Sequence, residues 1–211
     1  MKGLFIAFEG IDGSGKDTAL DRVIPYLYSE KVDKYANVLR TREPTKTSPF
    51  GIALAKGLID GSILTNDKVM ELFTLDRIDH SEIIRNHLNE NTHVLCSRYD
   101  LSTYAYQSLK GFTFEEIYDK SNYRKRPGCL VPDVTFFFEL PAEVAISRIS
   151  AGRTRKEAYE TFEILSKVAE KYIDAINFLR NEDGREIVII DATKSRDEVY
   201  AEVMVHLQRV L

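Results

Sequence analysis

Five short apolar runs punctuate the chain: Gly3 to Phe8, Asn37 to Thr41, His93 to Ser97, Val134 to Glu139 and Glu186 to Ile190. Each is rich in β-branched or aromatic residues, and each predicts a strand. Between them the apolar positions recur every three or four residues. Asp17 to Tyr28 carries Ala19, Leu20, Val23, Ile24 and Leu27, and Asn66 to Leu88 carries Val69, Met70, Phe73, Ile83, Ile84 and Leu88. Tyr159 to Leu179 carries Phe162, Leu165, Val168, Ala169, Tyr172, Ile173 and Ile176, and Asp197 to Leu211 carries Val199, Val203, Met204, Leu207 and Val210. This spacing lines one face of an α-helix. Apolar strands alternating with amphipathic helices predict an α/β fold of three layers, a mostly parallel sheet covered on both faces. No repeat or low-complexity linker interrupts the pattern, so residues 1–211 read as a single domain.

The first run leads directly into Glu9-Gly10-Ile11-Asp12-Gly13-Ser14-Gly15-Lys16-Asp17-Thr18. A buried strand, a glycine-rich turn ending in Gly-Lys and a helix make a phosphate cradle, a P-loop. Gly10, Gly13 and Gly15 let backbone N–H groups converge, while Lys16 and the helix N-terminus add positive charge. Asp17 stands where the pattern calls for Ser or Thr. In such sheets ligands lie beyond the carboxyl ends of the strands, so the segments following the strands belong to one set. They are Thr41-Arg42-Glu43-Pro44, Ser97-Arg98 through Gln107, and Leu140-Pro141, joined by the basic residues Arg148, Arg153, Arg155 and Lys156. Three separate loops thus carry cations toward one edge.

Composition narrows the classes. With 211 residues, 44% hydrophobic and 29% charged, the chain fits one compact globular domain. A net charge of -4 argues against a general nucleic-acid surface, and no apolar run approaches the roughly 20 residues that span a bilayer. Cys96 and Cys129 lack metal-ligand spacing; they read as reduced thiols, with a disulfide between them left open. The chain enters its first strand without a signal peptide, which makes the cytoplasm the expected location.

Taken in order, Glu-Gly-Ile-Asp-Gly-Ser-Gly-Lys, Arg42-Glu43-Pro44, Phe73 with Arg77, Arg98 to Gln107, Pro132-Asp133, the arginine-bearing segment and Asp191-Ala192-Thr193 resemble thymidylate kinase over nearly the whole chain. The resemblance implies a P-loop NTPase fold with a five-stranded parallel sheet flanked by helices and a small lid at about residues 150–158. It also implies magnesium-dependent transfer of the ATP γ-phosphoryl group to dTMP, giving dTDP and ADP, commonly by a homodimer. Carried over by position, Gly10, Ile11, Asp12, Gly13, Ser14, Gly15, Lys16, Asp17 and Thr18 would hold ATP. Lys16 would bridge the donor phosphates and Arg98 would hold the acceptor phosphate. Phe73 would stack on thymine, Arg77 would donate to a pyrimidine carbonyl, and Ser102, Thr103 and Gln107 would line the acceptor pocket. Tyr106 would lie against the sugar where a 2′-hydroxyl would clash. Asp12 would orient the 3′-hydroxyl or a metal-bound water, and Glu43-Pro44 would shape the pocket through a cis peptide. Asp12-Gly13-Ser14 contains no arginine, so Arg153 and Arg155 of the lid would supply the catalytic charge, with Arg148 and Lys194 flanking adenine.

Two positions depart from the family pattern, which has Ser or Thr at position 17 and Asp at position 97. Here Asp17 and Ser97 exchange the residue types, and the expectation is that they have swapped sides of one magnesium site. Lys56 is the only cation in Gly51 to Gly61, where the family places an arginine, so a second acceptor-phosphate contact is open. Residue chemistry favours a phosphate acceptor independently. A phosphate is already ionised, whereas a hydroxyl acceptor benefits from a general base, a role Glu43 could fill. The alternatives are a kinase for dUMP or dCMP and a nucleotide-binding module that has lost turnover.

Overall fold

The computed structural model describes residues 3–28, 37–60, 65–121, 128–152 and 161–211. Its strands are β1 (Phe5–Glu9), β2 (Asn37–Arg42), β3 (Thr92–Ser97), β4 (Val134–Glu139) and β5 (Ile187–Asp191). They form one parallel sheet in the order β2-β3-β1-β4-β5. The helices are α1 (Lys16–Leu27), α2 (Pro49–Asp60), α3 (Asn66–Asn89), α4 (Asp100–Ser108), α5 (Phe114–Ser121), α6 (Ala142–Gly152), α7 (Phe162–Asp183) and α8 (Arg196–Val210). The five sequence-predicted strands are all present, shifted at their ends by at most two residues.

The sheet explains the strand composition. In β1 every residue is buried, and in β4 all but the last, because layers cover both faces of these central strands. Edge strand β2 is half-exposed and correspondingly carries Arg40 and Arg42. The larger core packs Ile6, Phe8, Phe136 and Phe138 against Leu20, Val23, Tyr104, Leu165, Val168, Tyr172 and Val203. On the other face Phe5, Ala7, Val94 and Cys96 meet Ile84, Leu88 and Tyr99.

Local signals place the helix starts. Thr65 accepts the Lys68 N–H at 3.2 Å and begins α3, while Ser195 and Glu198 form a reciprocal capping box at α8. Position 13 requires glycine: its φ is 81°, and a Cβ there would stand 2.8 Å from the Ala145 carbonyl oxygen of α6. Helix and turn can therefore approach at backbone distance. The two cysteines are free thiols, which closes the disulfide alternative. No described helix is long and apolar enough to cross a membrane.

Candidate active site

Helix α1 begins at Lys16 itself, immediately after the glycine-rich turn, so its free N–H groups open toward the turn. The Lys16 side chain is buried, with Nζ 3.8 Å from both Asp12 Oδ1 and Asp17 Oδ2. Burial brings its pKa down to about 8, with the nearby Arg98 charge adding to the effect and the surrounding carboxylates opposing it. The cradle therefore holds a cation poorly neutralised from within, a suitable partner for a polyphosphate. Ser14 Oγ is also buried and has no hydrogen-bond partner among the described residues.

Arg98 follows β3 with a left-handed backbone, φ 61°, fixed by its N–H to the Phe8 carbonyl at 2.9 Å. This turn carries the guanidinium across β1 to the P-loop, where Nη2 donates to Asp12 Oδ1 at 2.7 Å. Nη1 donates to Ser102 Oγ at 3.3 Å and to the Tyr172 hydroxyl at 3.2 Å, and the Tyr106 ring centre lies 5.5 Å from the guanidinium carbon. Arg98 and Lys16 thus approach the same carboxylate oxygen, Asp12 Oδ1. Asp12 organises two cations, one from the cradle and one from the neighbouring strand.

Glu9 ends β1 and is fully buried. Its Oε1 accepts the backbone N–H groups of Tyr99 at 2.7 Å and Ser102 at 3.1 Å, binding the N-terminus of α4 to the sheet. Its Oε2 accepts from Ser102 Oγ at 2.6 Å and lies 3.3 Å from the Tyr172 hydroxyl. Burial raises its pKa, while the Ser102 hydrogen bond and the Arg98 charge pull the other way. The donor set fits a carboxylate, since every group facing it carries a hydrogen to give.

Asp17 and Ser97 meet at the mouth of the cradle, where the Ser97 hydroxyl acts on the Asp17 carboxylate. Burial tends to raise the Asp17 pKa, but the Lys16 charge, the Ser97 hydroxyl, Arg40 and Arg42 outweigh it and lower it. Arg40 Nη2 lies 3.6 Å from Asp17 Oδ1. The two departures from the family pattern are thus neighbours in space. A half-exposed carboxylate and a hydroxyl side by side form an all-oxygen donor pair of the kind that suits magnesium, which needs few protein ligands when phosphates and waters complete its shell.

Beneath this edge, Glu43 lies in the chain's Glu43–Pro44 cis segment with 3% exposure. Arg77 Nη2 and Nε stand 2.8 and 2.9 Å from Glu43 Oε2, and His80 Nδ1 stands 3.0 Å from Oε1. Arg77 also donates to Thr103 Oγ1 at 2.7 Å and to the Tyr99 carbonyl at 3.3 Å. The preceding residue, Asp76, accepts Thr45 N–H at 2.8 Å and the hydroxyls of Thr45 and Ser48, fixing the entry to α2. Thr103, Tyr106 and Gln107 fall on helix α4 at positions i, i+3 and i+4, so they share a side of that helix. Thr103 and Gln107 are buried, and Gln107 Oε1 has no partner among the described residues. Phe73 is half-buried on α3, one turn before Arg77.

Arg148 is exposed on α6, Lys56 is exposed on α2, and Lys194 is bound to Glu202 at 2.9 Å. Arg153, Arg155 and most of the expected lid lie outside the described residues. Four site-building residues carried no assignment in the sequence reading: the Glu9 carboxylate, Tyr172, His80 and Arg40. Glu9 had a visible signal, a lone carboxylate closing a wholly apolar strand, because a charge there needs built-in partners. Tyr172 had none, since its place in an apolar stripe is equally that of a core residue.

The model of the thymidylate kinase family matches residues 8–203. A probable thymidylate kinase of Methanococcus aeolicus is 33% identical over 201 residues, spanning 95% of this chain and 93% of that protein. The thymidylate kinase of Desulfotalea psychrophila is 30% identical over 212 residues, spanning 99% and 96%. A probable thymidylate kinase of Methanocaldococcus jannaschii is 33% identical over 210 residues, spanning 100% and 98%.

Proposed function

The chain belongs to the thymidylate kinase family, and on that premise we propose that it transfers the γ-phosphoryl group of ATP to dTMP, giving dTDP and ADP, with magnesium. The observation that carries this reading is the approach of Lys16 and Arg98 to the one Asp12 carboxylate, at 3.8 and 2.7 Å. One cation belongs to the donor cradle and the other to the strand end beside it, so two phosphates bound to them would face each other. Transfer between phosphates needs alignment and neutralisation of charge more than covalent chemistry. Lys16 and the α1 N-terminus take the donor charge; Arg98, released from Asp12 toward the acceptor, takes the acceptor charge. No general base is required, because the attacking phosphate oxygen is already ionised.

Arg77, Thr103 and Gln107 fit recognition of a pyrimidine edge, Phe73 offers a stacking face, and Tyr106 fits discrimination against a ribose. Asp17 and Ser97 would hold magnesium, which when bound neutralises charge on the donor phosphates. Arg153 and Arg155 complete the donor charge in this reading, and the active unit is a homodimer.

The test is ADP release with ATP and dTMP, dUMP, dCMP, ribo-TMP or thymidine, each with and without magnesium. The expected outcome is magnesium-dependent turnover favouring dTMP. Absence of turnover with every acceptor, despite measurable ATP binding, would refute the kinase reading.

A further inference from the structure

The Tyr172 hydroxyl lies inside the active site although its ring belongs to the core. Its ring packs on Phe137 at 5.0 Å and edge-on to Tyr106 at 6.5 Å, and the residue is fully buried on α7. The hydroxyl oxygen is 3.2 Å from Arg98 Nη1, 2.8 Å from Ser102 Oγ and 3.3 Å from Glu9 Oε2. Proton accounting orders these contacts. Ser102 gives its proton to Glu9 at 2.6 Å, which leaves its oxygen as an acceptor for Tyr172. Tyr172 has a single proton to give, shared between Glu9 Oε2 at 3.3 Å and Ser102 Oγ at 2.8 Å, and its lone pairs face the Arg98 guanidinium. A chain of hydroxyls therefore runs from the cation Arg98 to the buried carboxylate Glu9.

We propose that Tyr172 is a positioning residue for Arg98, its hydroxyl holding the guanidinium at the acceptor phosphate through the chain that ends on Glu9. The inference rests on the assignment of Arg98 to the acceptor phosphate. Asp12 anchors the opposite edge of the guanidinium through Nη2 at 2.7 Å, so Arg98 is gripped on two sides. The Asp12 grip competes with a bound phosphate for the same N–H groups. The Tyr172 grip does not, because its neutral oxygen can keep Nη1 in place while Nη2 turns to the acceptor. Hydroxyl and ring have separable duties: the ring fills the core, and the oxygen sets the angle of the cation.

Tyr172→Phe removes the oxygen and keeps the ring. The expected result is an acceptor KM raised about tenfold with the ATP KM within about twofold of wild type, the loss fitting one hydrogen bond to a charged group. Ser102→Ala breaks the same chain from α4 and should raise the acceptor KM likewise. The Tyr172→Phe/Ser102→Ala double variant should then be less affected than the product of the singles. Tyr118→Phe, which loses a 3.3 Å bond to Asp183 away from the site, is the control and should leave both KM values unchanged. Arg98→Met separates the two readings. If it weakens acceptor binding strongly while Tyr172→Phe and Ser102→Ala do not, the role of Tyr172 is refuted and that of Arg98 stands. If Arg98→Met leaves the acceptor KM unchanged, the underlying assignment fails and the positioning role falls with it. Equal changes for both substrates in Tyr172→Phe, with lowered thermal stability, would show a role in packing only and overturn the proposal.

Discussion

Changing Glu43 to Gln should destabilise this fold far more than a size-conserving replacement ordinarily does. Glu43 and Arg77 have side chains 3% and 1% exposed, and the closest approach of carboxylate and guanidinium is 2.8 Å. At that separation and an effective dielectric of about 20 the attraction is ~6 kcal/mol, most of it cancelled by taking two charges out of water. Removing one partner keeps the desolvation cost of the other and loses the attraction. For buried pairs this amounts to about 3–5 kcal/mol. A second estimate agrees: two Arg77 N–H groups lose a charged acceptor, at about 1.5–3 kcal/mol each. In urea denaturation the midpoint of Glu43→Gln should fall by roughly 1–2 M at unchanged slope. Arg77→Met should cost less than Glu43→Gln, because His80 Nδ1 at 3.0 Å still faces the remaining carboxylate. The Glu43→Gln/Arg77→Met double variant should lie about 2 kcal/mol or more above the sum of the singles, since neither charge is left buried alone. A Glu43→Gln variant within about 1 kcal/mol of wild type, or strictly additive singles, would refute the reasoning.

Other consequences can be measured separately. Asp17→Ser and Ser97→Asp alone should each weaken magnesium-dependent ATP binding, whereas the double exchange restores it by returning one carboxylate and one hydroxyl to the pair; calorimetric titration with and without chelator reads this directly. Gly51→Ala should cost about 2–3 kcal/mol and lower Tm, because a Cβ there would stand 2.1 Å from the Thr45 carbonyl oxygen and 2.7 Å from Asp76 Oδ1. Cys129, its thiol pushed up to about 11 by burial, should alkylate slowly at pH 8, with a rate rising about tenfold per pH unit toward that value. Cys96, fully buried, should react only after denaturation; mass spectrometry of both thiols distinguishes the two.

Much of the candidate site was legible because its residues occupy punctuated positions. Gly10 through Lys16 interrupt an apolar strand, and Arg98 stands at the end of another, so their types and places are informative without coordinates. Thr103, Tyr106 and Gln107 were recognisable as a group, though the helix they share emerged only in the structure. The pairing of Asp17 with Ser97 could be anticipated as an exchange of residue types. Their proximity depends on how β3 packs beside β1 and α1.

Periodicity and strand composition by themselves determined the five strands, the long helices and the layered parallel architecture. These follow from short-range geometry: which side chains fall on one face of an element is fixed by its repeat. Strand order, the burial of Glu9, and the hydroxyl chain through Tyr172 belong to the tertiary structure alone. They join residues up to 163 positions apart, and an apolar stripe carries no mark of which of its members turns a hydroxyl toward a charge. Only when α7 packs on α4 does a core tyrosine become a neighbour of Arg98, because hydrogen bonding acts over a few ångströms in space and is blind to distance along the chain.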